Sequence, residues 1–185
     1  MKLILALITC ISFISISYAQ EFKAKGKGYE YGFSEIKGWV GIGQDTENFP
    51  HADMIFYAAD RNGEDVNIRH VYTDIYMFTN VTTGTADQFW KQLETRYRTG
   101  NPRLKIEHAK YIKISAGVEA KVIYFLNITS ENKAQAIASI PNKGRIVSLV
   151  MQARSEQLLK EHLPEFEQLL RTYKASEVGV VGLDK

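Results

Sequence analysis

The segment Val118–Ile128 constrains the fold most, because it alternates with period two and yet becomes apolar on both faces toward its end. Val118, Ala120, Val122, Tyr124 and Leu126 fall on one side, while Glu119 and Lys121 share the other with Ile123 and Phe125. Such a strand belongs inside a sheet that is covered above and below. It pairs in this reading with Tyr111–Ser115 around Ala116-Gly117. Ala134–Ile140 and Arg145–Gln152 form a second hairpin across Pro141-Asn142-Lys143-Gly144.

The covering layers are legible as two helical segments. Thr85 is an N-cap with Gln88 three residues on, a capping-box pattern, and Phe89, Trp90, Leu93 and Tyr97 follow at helical spacing until Gly100 and Pro102. That aromatic stripe reads as core rather than as a ligand platform. Ser155 caps a C-terminal helix with Leu159, Leu163, Phe166, Leu170 and Tyr173 on one face. Pro164, lacking an amide hydrogen, kinks or restarts it. Upstream, Trp39–Ile42 is a short strand. Ala52–Ala58 and Asp65–Thr73 are expected to pair across Asp60-Arg61-Asn62-Gly63, with Asp74–Thr79 a further strand or an extension of the second. The expected fold class is α+β, an antiparallel β-sheet flanked by helices in an α/β/α sandwich.

Residues 1–19 have the pattern of a signal peptide. Lys2 gives a positive start, Leu3–Ile16 an apolar run too short to span a bilayer, and Ser17-Tyr18-Ala19 a small-x-small cleavage site. Export to the periplasm or the extracellular medium is expected, with the mature chain starting near Gln20 and carrying no transmembrane segment. Residues 20–37 read as a basic, glycine-punctuated and then aromatic extension, 38–174 as a single domain, and 175–185 as a loose tail. Cys10, the only cysteine, sits inside the apolar run. Disulfides, thiolate metal sites and cysteine nucleophiles are therefore excluded from the mature chain. A net charge of +2 and 24% charged residues predict neither nucleic-acid binding nor general attraction to anionic lipid.

No catalytic constellation stands out. His51-x-Asp53 and His70 with Asp74 offer imidazole and carboxylate donors, but their spacings match no zinc site. The acidic turn Asp60–Asp65 lacks a calcium-loop frame. There is no Gly-x-Ser-x-Gly elbow and no phosphate-binding glycine loop. No catalytic residue, metal or cofactor is assigned. Asn80-Val81-Thr82 and Asn127-Ile128-Thr129 read as chance sequons.

The order of elements resembles the PsbP-like superfamily. The resemblance spans about Gly38–Lys174 and is carried by the capped helix Thr85–Thr99, the paired strands, and the ending Arg145-Ile146-Val147-Ser148-Leu149-Val150, Ser155, Leu163-Pro164-Glu165-Phe166. It implies an antiparallel sheet between helices and a non-enzymatic binding or assembly role, and it transfers no functional residue.

One charge asymmetry remains. Lys91–Lys113 holds Lys91, Arg96, Arg98, Arg103, Lys105, Lys110 and Lys113 against Glu94 and Glu107. A solvated face is the ordinary reading. The functional one makes Arg96, Arg98, Arg103 and Lys105 a docking surface for an acidic envelope protein, an anionic glycan or a lipid headgroup, provided the chain turns back at Gly100-Asn101-Pro102. The expected function is thus an exported, non-catalytic binding or assembly domain of the cell envelope. The alternative is a secreted or periplasmic hydrolase whose active site is dispersed in sequence.

Overall fold

The computed structural model describes residues 20–26, 28–43, 50–59, 74–99, 101–114, 117–128 and 133–175. Its main sheet is antiparallel and has seven strands. In chain order these are β3 (Trp39–Ile42), β4 (Met54–Ala58), β5 (Ile75–Thr83), β6 (Lys105–Lys113), β7 (Glu119–Leu126), β8 (Ala134–Asn142) and β9 (Arg145–Ala153). In space they run β3-β4-β5-β9-β8-β7-β6. A smaller sheet pairs β1 (Glu21–Gly26), β2 (Tyr29–Ser34) and β10 (Lys174–Ala175). Helix α1 (Ala86–Arg98) follows β5, and α2 (Glu156–Glu161) and α3 (Leu163–Arg171) follow β9.

β7 lies inside the sheet and is buried on both faces. Ile123 and Phe125 point to the α1 side with Trp90, Ile137 and Val150. Ala120, Val122 and Leu126 point to the opposite side, into a larger core with Leu159, Phe166, Leu169 and Leu170 of α2 and α3. β8 presents Ala134, Ala136 and Ala138 to that second side, all fully buried. Three alanines in a row give α2 and α3 a shallow surface on which bulky Leu159 and Phe166 can seat without a gap.

Local signals set the connections. The β8–β9 ladder closes at Asn142↔Arg145, leaving Lys143 (φ 45°) and Gly144 (φ 76°) as a two-residue turn with both residues left-handed. That handedness matches the twist of the paired strands, and glycine bears its half without steric cost. At α1 the capping box forms in full: Thr85 Oγ1 accepts from the Gln88 amide and Gln88 Oε1 accepts from the Thr85 amide. Pro164 occupies the first turn of α3, so the C-terminal segment restarts as a separate helix after His162.

Two expectations change. β4 pairs with β5, in the register Met54↔Thr79 to Tyr57↔Tyr76, whereas the strand expected at 65–73 and the turn at 60–63 lie outside the described residues. Residues 20–37, read as an extension, carry β1 and β2, and Tyr31, Phe33 and Ile36 are buried in the main core. Basic and glycine residues on the solvent side disguise the pattern. Phe22 packs edge-on to Phe56 and occupies the space above Gly41, where an added Cβ would come within 2.6 Å of its ring. Phe33 packs against Phe56 and Tyr173.

A buried polar knot fixes this hairpin. The Tyr31 hydroxyl donates to Asp53 Oδ2 at 2.9 Å and accepts from Thr79 Oγ1 at 2.8 Å, tying β2 to β5 and the approach to β4. The segment after α3 closes it from the other side: the Ser34 amide donates to Thr172 Oγ1 at 2.9 Å, and β10 pairs with β2. Burial pushes the Tyr31 phenol well above its ordinary pKa, and that of Tyr173 up to about 12. Both therefore stay neutral in the fold at pH values where an unfolded tyrosine ionises.

Three outcomes are expected. Phe166→Ala, at a fully buried position, should cost about 3–5 kcal/mol in chemical denaturation; a loss under about 1 kcal/mol would contradict the packing of α3. Tyr31→Phe should cost about 1–3 kcal/mol, because Asp53 and Thr79 lose their shared partner. Since both folded phenol pKa values are raised, the stability they contribute is fully present below about pH 10 and is lost as pH rises above it. Denaturation midpoints should therefore fall on going from about pH 9 to 12, and less steeply in Tyr31→Phe.

Candidate functional site

Among the described residues, one helix lies on the α1 side of the seven strands. An α-helix with its side chains is about 10–12 Å across, whereas neighbouring strands lie about 4.8 Å apart, so one helix covers little more than two strands. α1 sits over the β8–β7 half. The Trp90 indole Nε1 donates to Ser139 Oγ of β8 at 3.0 Å, Lys121 of β7 lies 5.5 Å from the Trp90 ring centroid, and Tyr97 packs on Phe125 at 4.8 Å. Beside the helix, over β5 and β9, a cleft of about 500 Å³ remains.

The ladder registers dictate what floors it. Phe78↔Val150 and Val150↔Ile137 form a continuous apolar row from β5 through β9 to β8. Two residues along the strands, Asn80↔Ser148↔Ser139 form a polar row, in which Ser148 Oγ donates to Asn80 Oδ1. Two residues the other way, Tyr76↔Gln152↔Gln135 form a second polar row. There the Tyr97 hydroxyl donates to Gln135 Oε1 at 2.6 Å and Gln135 Nε2 to Gln152 Oε1 at 2.7 Å. Burial raises the phenol pKa values of Tyr76 and Tyr97, so both keep their protons. Of these rows, the apolar strip and the Asn80–Ser148 pair line the cleft, and Tyr97 joins the lining from the helix.

The helix supplies the wall. At about 100° per residue, Phe89, Gln92 and Arg96 share one flank of α1, and all three line the cleft with Leu93 and Tyr97. Arg96 is exposed at its mouth. Among the described residues no carboxylate pairs with it. His51 lines the cleft from the loop before β4.

The four cations proposed as a docking surface are not brought together. Arg96 and Arg98 are about 200° apart around the helix, so Arg98 lies on the flank away from the cleft. Both stand in the last turn of α1, where positive charge complements the helix dipole. Lys105 pairs with Glu107 at 2.5 Å, and that carboxylate raises its pKa. Arg103 is exposed, its amide donating to Asn101 Oδ1. Lys110, on the same strand as Lys105, pairs with Glu167 of α3. Asn101 Nδ2 donates to the carbonyls of Asn127 and Ile128, clamping the segment after α1 to the end of β7.

The remaining chemical candidates disperse. The Asp53 carboxylate accepts from Tyr29 and Tyr31, and Asp74 pairs with Arg154 at 2.9 Å. His70 lies outside the described residues. Among the described residues no three histidine, cysteine or carboxylate side chains gather as for a metal ion. Sequence reasoning missed Phe78, Asn80, Ser148 and Val150 as site residues. Their alternation within β5 and β9 is visible, but their convergence depends on β5 and β9 being neighbours across 68 residues of chain.

No family model matches the sequence, and no curated protein matches it. Several solved structures are similar, among them these two. One is the solution structure of cyanobacterial PsbP, CyanoP, from Synechocystis sp. PCC 6803, at 11% identity and a TM-score of 0.53, covering 91% of this chain and 99% of that one. The other is PA94 from Pseudomonas aeruginosa, of unknown function, at 12% identity and a TM-score of 0.44, covering 82% of this chain and 94% of that one. At such identities the likeness to CyanoP speaks for architecture alone. The chain has a PsbP-like fold, as the order of its elements implied.

Proposed function

We propose that the protein is an exported, non-catalytic binding domain of the cell envelope whose ligand sits in the cleft beside α1. The observation that carries this reading is the composition of the cleft. An apolar row lies beside the hydrogen-bonded Asn80–Ser148 pair, and the Arg96 cation at the mouth has no carboxylate partner among the described residues. Such a surface can hold and orient a molecule. Its polar atoms are largely committed to one another: Ser148 to Asn80, Tyr97 to Gln135, and Gln135 to Gln152. That suits a rigid binding floor, and His51 is the lining imidazole through which a proton-transfer reading would have to run.

Export is supported by the residues that precede the fold, with a positive start, an apolar run and Ser17-Tyr18-Ala19. No helix of the described residues is long and apolar enough to cross a membrane. The PsbP-like fold is compatible with this function without establishing it, since one fold hosts many activities. The lone cation favours a ligand that is anionic where it meets Arg96.

Expression in a cell with an envelope tests both halves. Intact mass should show a chain starting at Gln20 in the exported fraction. Native mass spectrometry of that material should show a co-purifying small molecule, chemically unaltered, which Gln92→Trp excludes by filling the cleft from an exposed helix position. Retention of Met1 would overturn export. Conversion of the molecule into a product during incubation, or occupancy unchanged in Gln92→Trp, would overturn binding without catalysis at this site.

A further inference from the structure

Resting on that reading of the cleft, we infer that its ligand is an amphipathic monoanion, a carboxylate on an unbranched acyl chain, with the headgroup at Arg96 and the chain over Phe78, Val150 and Ile137. The volume of about 500 Å³ falls within the range of small-molecule sites, roughly 300–1,000 Å³. The shape of the floor selects the class. The Phe78–Val150–Ile137 row is one residue wide along the strands and three strands long, and successive residues on the same face of a strand stand about 6.8 Å apart. A strip of that width admits a single chain of methylene groups. A fused ring system would overlap the Asn80–Ser148 row and leave its polar atoms facing apolar carbon, a costly arrangement.

The polarity is fixed by the helix wall. Phe89 and Leu93 cover the strip with apolar surface, and Arg96, one turn beyond Gln92 on the same flank, closes that wall with a guanidinium. A guanidinium presents paired donors that match a carboxylate in a bidentate geometry. Arg98 has the same charge but lies on the opposite flank, which makes it an internal control. A neutral chain of equal length would gain the strip without the cation, so the difference between the two reports Arg96 alone.

Decanoate and decanol, titrated into the purified exported protein and followed by methyl NMR of Ile137, Val150 and Leu93, decide the matter. Decanoate should shift those methyls and bind about tenfold tighter than decanol, the size of one charge-assisted contact at a partly exposed site. Arg96→Gln should erase the preference while leaving decanol binding unchanged, and Arg98→Gln should keep it. Equal binding of the two probes at these methyls would overturn the monoanion and leave the cleft as a binding site. So would a preference that survives Arg96→Gln. Absence of any shift at these methyls would also overturn the ligand class, and the native mass spectra with Gln92→Trp then show separately whether the cleft binds anything at all.

Discussion

Everything in this fold answers to one constraint: the central strands of the main sheet are apolar on both faces. Ile123, Phe125, Ile137 and Val150 face one way, and Ala120, Val122, Ala136, Ala138, Leu149 and Met151 the other. The transfer of that surface from water is the main favourable contribution, at about 25 cal/mol per Å², and it requires a layer on each side. The second side receives an ample cover of α2, α3 and the β1-β2-β10 sheet. The first receives α1.

The imbalance between the two covers makes the cleft. On the well-covered side, aromatic rings from both ends of the chain interlock, with Tyr31, Phe33 and Tyr173 in mutual contact, and the Tyr31–Asp53–Thr79 knot orients them. On the other side α1 is anchored over β8 through Trp90 and Tyr97, and the cleft lies beside it, floored by β5 and β9. The half of that face beside α1 carries polar rows at Asn80–Ser148 and Tyr76–Gln152 with an apolar strip between them, Ser148 and Val150 being buried and Phe78 and Asn80 half-buried. A sheet face built only for solvation would be expected to carry polar residues at Phe78 and Val150 as well.

Much of this architecture was legible in the sequence because it depends on local chemistry. The capping box at Thr85 and Gln88, the restart at Pro164, the tight turn at Lys143-Gly144 and the two-sided burial of β7 each follow from residues within one turn or one strand. What was not legible depends on neighbours distant in the chain. The Asn62-Gly63 signal suggested a local partner for β4, whereas the described partners are β3 and β5. Residues 20–37 looked like an extension because their charged and glycine residues obscured Tyr31, Phe33 and Ile36, which become core only when α3 returns beside them. For the candidate site, Arg96 was singled out by charge but grouped with Arg98; helical periodicity alone separates the two. The floor of the cleft required the spatial order β5-β9-β8, which no spacing in the sequence encodes.

The central claim is that the cleft beside α1 is a ligand site. A crystal structure of the protein isolated from its native source, without added ligand, tests it most directly. The account predicts continuous density along Phe78, Val150 and Ile137, ending in a group that contacts the Arg96 guanidinium. A cleft filled by the chain's own residues, or holding only ordered water against a well-defined Arg96, would contradict it.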